Sequence, residues 1–295
     1  MREQLRPWTD LCHGRAGYHA QVVCAASAIG RVGIFHLVRA ANDPSVFRSF
    51  AASLLAAPPS SEWTLELIFK GFPSEAATAP FRAQVTAVPT HCCFIDDSGY
   101  DISSYLAAAR RTSHDTAVFF NSFSEIIEPR WFEILRDAFI RPGVGVVGAT
   151  GSLESVVRNH RIYGGAKNLA LAAGLLALFP PFPNPHIRTN AFMIARESFL
   201  ALRAPAIKTR LGALVYESGW TSMTRQLQAC GLAPMIVDRA GRAFSSEAWA
   251  DARTFRSGSQ ENVIVRDNRI KEYEVASLER RALLRRLAFG DQVRS

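Results

Sequence analysis

Short apolar runs recur along this chain, and each breaks off abruptly into polar residues. Val32–Val38 (VGIFHLV), Leu65–Phe69, Cys92–Ile95, Ala117–Phe120 and Val144–Val147 are continuous apolar stretches with little alternation. Such runs predict strands covered on both faces, as in the parallel sheet of an α/β protein. The first follows a mostly apolar lead-in, His19–Ile29, and Val85–Val88 predicts one further short element. Helical spacing fills the intervals: Asp43-Pro44-Ser45 starts a helix over Ser45–Leu55, Ser103–Arg111 is a short helix, and Pro129–Phe139 carries its proline near the first turn. This alternation predicts α/β architecture, a mostly parallel sheet flanked by helices with right-handed crossovers. No internal repeat appears. The Pro-rich loop Phe179–Pro185 is the best break in the chain, yet it is neither long nor polar enough to separate two domains.

The polar residues at the strand ends carry the candidate chemistry. Lys70-Gly71 follows the second strand, Asp96-Asp97-Ser98-Gly99-Tyr100-Asp101 the third, and Asn121-Ser122-Phe123-Ser124-Glu125 the fourth. Open α/β sheets bind ligands in the crevice outside the carboxyl ends of their strands. Aspartates there can accept hydrogen bonds from ribose or base groups, and a glycine lets the backbone approach a ligand closely. Asp, Ser and Gly are also ordinary loop residues. Three such clusters in consecutive loops favour a site.

Two later segments add to it. His186, Arg188 and Asn190 alternate and run into the apolar strand Ala191–Ile194, so an extended backbone puts them on one face. There they could clamp phosphate oxygens or sugar hydroxyls; alternatively Asn-Pro-His is a turn and Arg188 a surface residue. Tyr216-Glu217-Ser218-Gly219-Trp220 precedes Thr221–Ala229 and Cys230-Gly231, which predicts a helix opened by Glu217 and stopped at Gly231. Glu217 then either complements the helix dipole or faces the cleft as a general base.

Composition narrows the partners. The 295 residues are 48% apolar, and the net charge of +8 reflects 34 Lys+Arg against 26 Asp+Glu. That excess suits an anionic partner, whether a phosphorylated ligand, a membrane surface or nucleic acid. The arginines are dispersed, and no groove-reading helix or RNA-binding aromatic pattern appears, so nucleic acid is not expected. Part of the charge lies in Glu279–Arg286 (ERRALLRR), read as a solvated helix face. Gly148-Ala-Thr-Gly-Ser152 lacks the G-x-S-x-G elbow of a serine hydrolase. Five cysteines without CxxC spacing indicate neither a disulfide framework nor a zinc site, which points to a reducing cytoplasm. Met1–Ala20 is polar and does not read as a signal peptide. Leu169–Phe179 is far shorter than the roughly 20 residues a spanning helix needs, so no transmembrane segment is expected. Peripheral contact at the inner face of the membrane is compatible with the charge. Arg253–Asn262 combines arginines, a glycine and amides; it reads as a basic surface loop or as a flap over a phosphate, with Trp249 free to stack on a sugar or base.

In this order the segments resemble the GT-A nucleotide-sugar glycosyltransferases, particularly the family 2-like bacterial enzymes. The resemblance rests on Asp97–Arg110, Val118–Leu135, Pro142–Ser152, His186–Leu202 and Tyr216–Gly231, and covers roughly residues 33–234. It implies one GT-A (Rossmann-like) domain over residues 1–295, with an N-terminal arm at 1–31 and a C-terminal extension at 235–295 that closes the site. It further implies a hexosyltransferase-type enzyme, inverting, in polysaccharide or glycoconjugate assembly. A nucleotide-diphosphate sugar would be the donor and a glycan or lipid-linked molecule the acceptor. By motif position Glu217 is the catalytic base. Lys70, Asp97, Asp101, Asn121, Ser122 and Arg188 lie on the donor, and His186, Asn190 and Trp220 on the acceptor or diphosphate side. The family pattern departs at two places. Ser218 stands where a second carboxylate is usual. Phe123 stands at the second position of the metal-binding DxD tip, leaving Asn121 and Glu125 as the candidate ligands for Mg²⁺ or Mn²⁺. The alternatives are a diphosphate neutralised by Arg188 and His186, or a degenerate domain that only binds a glycan or a protein.

Overall fold

The computed structural model describes residues 29–164, 174–204 and 207–291. Met1–Ala20, the lead-in as far as residue 28 and the first part of Leu169–Phe179 fall outside them. The strands are β1 (Val32–Arg39), β2 (Trp63–Lys70), β3 (Thr90–Ile95), β4 (Thr116–Phe120), β5 (Glu125–Ile126), β6 (Val144–Gly148), β7 (Gly151–Ser152), β8 (His186–Ile187), β9 (Ala191–Ala195), β10 (Ala233–Val237), β11 (Ala243–Phe244) and β12 (Val265–Arg266). The helices used below are α1 (Pro44–Ala56), α2 (Ala79–Arg82), α3 (Asp101–Ala109), α4 (Trp131–Phe139), α5 (Val156–Gly164), α6 (Arg196–Ala201), α7 (Arg210–Ser218), α8 (Met223–Ala229), α9 (Asn268–Val275) and α10 (Leu278–Phe289).

Eight strands form one sheet in the order β11-β10-β6-β9-β4-β1-β2-β3. The pairs β1/β2, β2/β3, β1/β4 and β6/β10 are parallel. From β1 the chain winds outward through β2 and β3, then returns to add β4 on the other side of β1. The strand order therefore reverses between β1 and β4, the place where sheets of this kind open a crevice at their carboxyl ends.

The apolar runs form strands because both faces are covered. On β1, Val32, Ile34 and Val38 face Phe47, Phe50 and Leu54 of α1, whose 3–4 spacing makes one apolar stripe. Phe35 and Leu37 face the opposite core, built on Tyr105 and Leu106 of α3 together with Phe199, Val215 and Leu227. Asp43 caps α1 by accepting from Ser45 N at 2.8 Å, and Pro44 opens its first turn. Trp131 at the start of α4 is fully buried and donates Nε1–H to Ala57 O at 2.8 Å.

Three local expectations change. Val85–Val88 is a turn after the short helix α2, and Val85 serves the core as a single buried side chain. Pro89 follows directly and cannot donate to a ladder. The strand Ala191–Ile194 forms as β9, but it runs antiparallel to both β4 and β6. Apolar periodicity carries no strand direction, so the sequence pattern could not reveal this.

The helix expected to open at Glu217 is two helices. Gly219 leaves the helical region at φ −79°, ψ −178°, and Ser222 caps a new helix by accepting from Arg225 N at 3.4 Å. Glu217 thus ends α7, where the unpaired carbonyls of a helix carry partial negative charge. The dipole reading of this carboxylate is overturned, because a negative charge there is disfavoured.

Candidate active site

Parallel register gathers the strand tips. Arg39 lies opposite Lys70, Lys70 opposite Ile95, and β4 beside them ends at Phe120 just before Asn121. The antiparallel β9 begins at this same edge, with Ala191 opposite Phe120 and Phe192 opposite Gly148. Its direction brings His186–Asn190 to the crevice.

On the β1–β3 side, Lys70 is buried and donates Nζ–H to Gly99 O at 2.6 Å. Burial pulls its ammonium pKa down, and the charge of Arg39 adds to this while Asp101, Asp97 and Asp96 oppose it. Arg39 reaches Asp97 at 3.4 Å. Sequence reasoning passed over Arg39, although a charged residue closing a strand is the signal that singled out Lys70. Burial raises the Asp101 carboxyl; Arg39 and Lys70 lower it, and Glu217 raises it further. Burial pushes the Tyr105 hydroxyl pKa up, the charges of Asp101 and Glu217 add to this, and the hydroxyl has no hydrogen-bond partner among the described residues. Gly99 is left-handed at φ +70°, and a Cβ there would sit 2.8 Å from Ile207 O. Only glycine lets this loop turn so closely under Lys70.

Glu217 stands between two cavities. The smaller, about 200 Å³, is lined by Tyr100, Asp101, Thr189, Arg210 and Glu217 among others. The larger, about 440 Å³, lies within the range typical of ligand pockets and includes His186, Arg188, Arg210, Glu217 and Arg256. One carboxylate oxygen of Glu217 accepts from Thr189 N at 3.3 Å and Thr189 Oγ1 at 3.2 Å. Asn184 fixes the end of α7 by donating Nδ2–H to Ser218 O at 2.7 Å. The carboxylate is held in place by long hydrogen bonds and no cation among the described residues pairs with it, the arrangement a general base requires.

His186 and Arg188 both face the larger cavity. His186 Nδ1 lies 2.9 Å from Asn184 O, which fixes the proton on that nitrogen and leaves Nε2 as the acceptor in the neutral ring. Arg188 is more committed than a free clamp. It pairs with buried Asp267 at 2.9 Å, donates to Thr150 Oγ1 at 3.2 Å and stacks 3.9 Å over Phe255. Asp267 is also the cap of α9. Asn190 does not join the other two in the cavity. It is buried, accepts from Thr150 Oγ1 at 2.7 Å and holds Asn121 N and Ser124 Oγ through its backbone oxygen. Trp220 is exposed, donates to Leu176 O and stacks with Arg225, and it lines neither cavity.

The metal-ligand expectation fails a test of fit. Asn121 Oδ1 accepts from Phe123 N at 3.0 Å and shares the single Ser124 hydroxyl hydrogen with Asn190 O, which folds the amide oxygen back onto its own loop. Glu125 pairs with Lys271 at 2.8 Å, and its strand is tied to β12. Ser122 is buried. Among the described residues no group of three His, Cys, Asp or Glu side chains could hold a metal ion. Hard divalent cations need several oxygens converging on one point. This tip does not provide them.

The C-terminal segment contributes more than a surface loop. Phe255 and Arg256 are buried and line the larger cavity, as do Arg269 and Arg280. Local sequence carries no signal for this, because the β5/β12 pairing draws the segment across the strand tips. Trp249 is core: it packs where a Cβ on Gly151 would lie 2.6 Å from its ring, and it donates to Phe244 O. No helix among the described residues is long and apolar enough to cross a membrane.

No protein-family model matches the chain, and the comparison with curated proteins yields no match. Solved structures of similar shape include a mannosyltransferase from Pyrobaculum calidifontis in complex with GDP-Man and Mn²⁺, at 11% identity and TM-score 0.46, over 85% of this chain and 66% of that one. Mouse xyloside xylosyltransferase 1 in its apo form matches at 13% identity and TM-score 0.40, over 70% of this chain and 85% of that one. GalNAc-T7 with UDP, GalNAc and Mn²⁺ matches at 10% identity and TM-score 0.47, over 75% of this chain and 44% of that one. The chain thus spans under half the length of GalNAc-T7 and about two thirds of the mannosyltransferase. The fold class stands on the sheet itself: one mixed, mostly parallel sheet with helices on both faces and a charged crevice at its carboxyl edge.

Proposed function

We propose that this protein is a GT-A glycosyltransferase that moves a sugar from a nucleotide-diphosphate donor to an acceptor hydroxyl with inversion, in the assembly of a polysaccharide or other glycoconjugate. The observation that carries this reading is the seat of Glu217. It occupies the last turn of α7, against the helix dipole, on the wall shared by two cavities at the ligand-binding edge of the sheet.

In this reading the nucleoside lies over the tips of β1–β3, where Asp97 and Asp101 offer oxygens to ribose or base, Arg39 pairs with Asp97 and Lys70 holds the loop between them at Gly99 O. Asn121 and Ser122 border the same crevice. Glu217 takes the proton from the acceptor hydroxyl as its oxygen attacks the anomeric carbon. The bond to the diphosphate breaks, and the electron pair leaves with the phosphate oxygen. Arg188 and Arg210, with His186 as a hydrogen-bond partner, stand beside the developing charge. No step passes through a metal, because the strand tip does not fit one.

The test pairs binding with turnover. UDP or GDP should raise the melting temperature. Sugar release from a panel of nucleotide sugars should fall by about 10²–10⁴-fold in Glu217→Gln, the usual worth of a general base, while the nucleotide-induced shift persists. A protein stabilised by neither nucleotide would refute the reading. The closed tip at Asn121 and Glu125 favours a second reading, a degenerate domain that binds a glycan or a protein. It predicts no sugar release with or without Mn²⁺.

A further inference from the structure

The larger cavity holds more positive charge than the donor chemistry uses. Five arginines line it against three carboxylates, Glu154, Glu217 and Glu272. Arg256, Arg269 and Arg280 converge on the single carboxylate of Glu272, at 3.9, 3.2 and 3.0 Å. Glu272 thus serves three guanidinium groups at once, with Glu154 a second partner for Arg256. Arg210 forms no ion pair among the described residues, and it lines both cavities next to Glu217.

Arg256 is the most constrained of the set. It is 6% exposed, its second carboxylate partner, Glu154, lies at 3.4 Å, and its Nε is buried with no hydrogen-bond partner. Its backbone is left-handed at φ 44°, between Arg253 at 54° and Gln260 at 58°. Gln260 holds it there, accepting from Arg256 N at 2.7 Å and donating to Ile270 O at 3.1 Å. Burial pulls the guanidinium pKa down. A buried cation with long ion pairs and an orphan donor costs stability, and strained backbone of this kind clusters at ligand sites. An arginine fork matches phosphate oxygens two at a time. Beneath the cations, Leu284 and Leu287 of α10 supply an apolar floor.

We propose that this cavity binds the acceptor through a phosphoryl group held by Arg256 and Arg269, so that the acceptor is a phosphorylated sugar or a phospholipid whose free hydroxyl lies beside Glu217. This rests on the glycosyltransferase reading above; the phosphoryl site itself rests on the arginines.

Isothermal titration of the full chain tests it with two matched pairs: glucose 6-phosphate against glucose, and octanoyl lysophosphatidate against monooctanoylglycerol. UDP and GDP are titrated in parallel. At least one phosphorylated probe should bind tenfold or more tightly than its neutral partner, and the pair that discriminates names the source of the phosphate. Arg256→Gln should weaken that probe at least tenfold and leave the nucleotide affinity unchanged. Arg269→Gln, at a half-exposed position, gives the same comparison if Arg256→Gln does not fold. No preference for phosphate, or a preference that survives both substitutions, overturns the site. Competition between nucleotide and phosphorylated probe, with both lost in Arg256→Gln, makes the cavity the donor's: the proposal falls and the glycosyltransferase reading stands. Arg256-dependent phosphate binding without any nucleotide binding upholds the anion site and removes its role as an acceptor site.

Discussion

His36 provides a measurable test of how completely the sheet is buried. It lies on β1 opposite Phe120, has no exposed surface, and stacks on Phe50 at 3.6 Å between ring centroids and 8° between planes. Neither ring nitrogen has a hydrogen-bond partner. Burial therefore lowers its pKa from 6.5 to about 3. The unfolded chain takes up a proton below pH 6.5 that the folded chain refuses until about pH 3. His36 thus lends full stability above pH 6.5, and this is lost progressively as the pH falls toward 3. Linkage over that gap gives a loss of about 2 kcal/mol at pH 5 and nearly nothing at pH 7.5. For a chain of this size the loss is roughly 4 °C in melting temperature. Urea denaturation of the native chain, His36→Leu and His36→Gln at pH 7.5 and 5.0 reads it directly. Either substitution shifts stability at both pH values, so the quantity compared is the pH-dependent loss within each protein. The variants should lose about 2 kcal/mol less than the native chain between the two pH values. Equal losses in all three would refute the buried, neutral His36.

Three further substitutions probe the site from different sides. Glu217→Gln should leave the melting temperature unchanged or slightly raised, since it removes a charge that the α7 dipole disfavours by about 0.3–1 kcal/mol; a marked loss of stability would make Glu217 structural. Asp267→Asn keeps an oxygen to cap α9 but strips Arg188 of its charge partner. Breaking such a pair should cost about 3 kcal/mol in urea denaturation, and a cost below about 1 kcal/mol would mean that solvent already screens it. Gly99→Ala forces a Cβ against Ile207 O and moves the carbonyl that receives Lys70. It should cost about 1–3 kcal/mol and shrink the nucleotide-induced thermal shift; a native-like shift would detach this loop from the nucleoside.

Where apolar runs and turn residues act locally, the sequence was informative. Ala117–Phe120 is buried on both faces because helices cover the sheet on each side, and its run of four apolar residues already implied that. Asp97 and Asp101 reach the crevice because parallel strands end together. Features set by distant contacts were not legible. The direction of β9 depends on hydrogen bonds to β4 and β6, and that direction brings His186 and Arg188 to the edge. The division between α7 and α8 was written in Gly219 and Ser222, but the stop at Gly231 drew the expected helix back to Glu217, across both. Burial of Arg256 had no local signature, since a basic loop and a buried cation share one composition.

These non-local features bear on a single question, how the crevice would manage the charge of a departing diphosphate. The strand tip does not do it, because Asn121 spends its oxygen on Phe123 and Ser124, and Glu125 is bound to Lys271. Cations from other elements stand beside Glu217 instead: Arg188 from the lead-in to β9 and Arg210 from α7. Fixed guanidinium groups in a partly dry cleft stabilise developing negative charge without reorganising, as a metal would. They differ in one respect. Arg188 is neutralised by Asp267, whereas Arg210 has no carboxylate partner among the described residues. If diphosphate departure depends on protein cations, the transfer rate should respond to Arg210→Gln far more than to removal of free Mn²⁺. A rate that collapses on chelation and tolerates Arg210→Gln would return the charge to a metal and reopen the tip at Asn121.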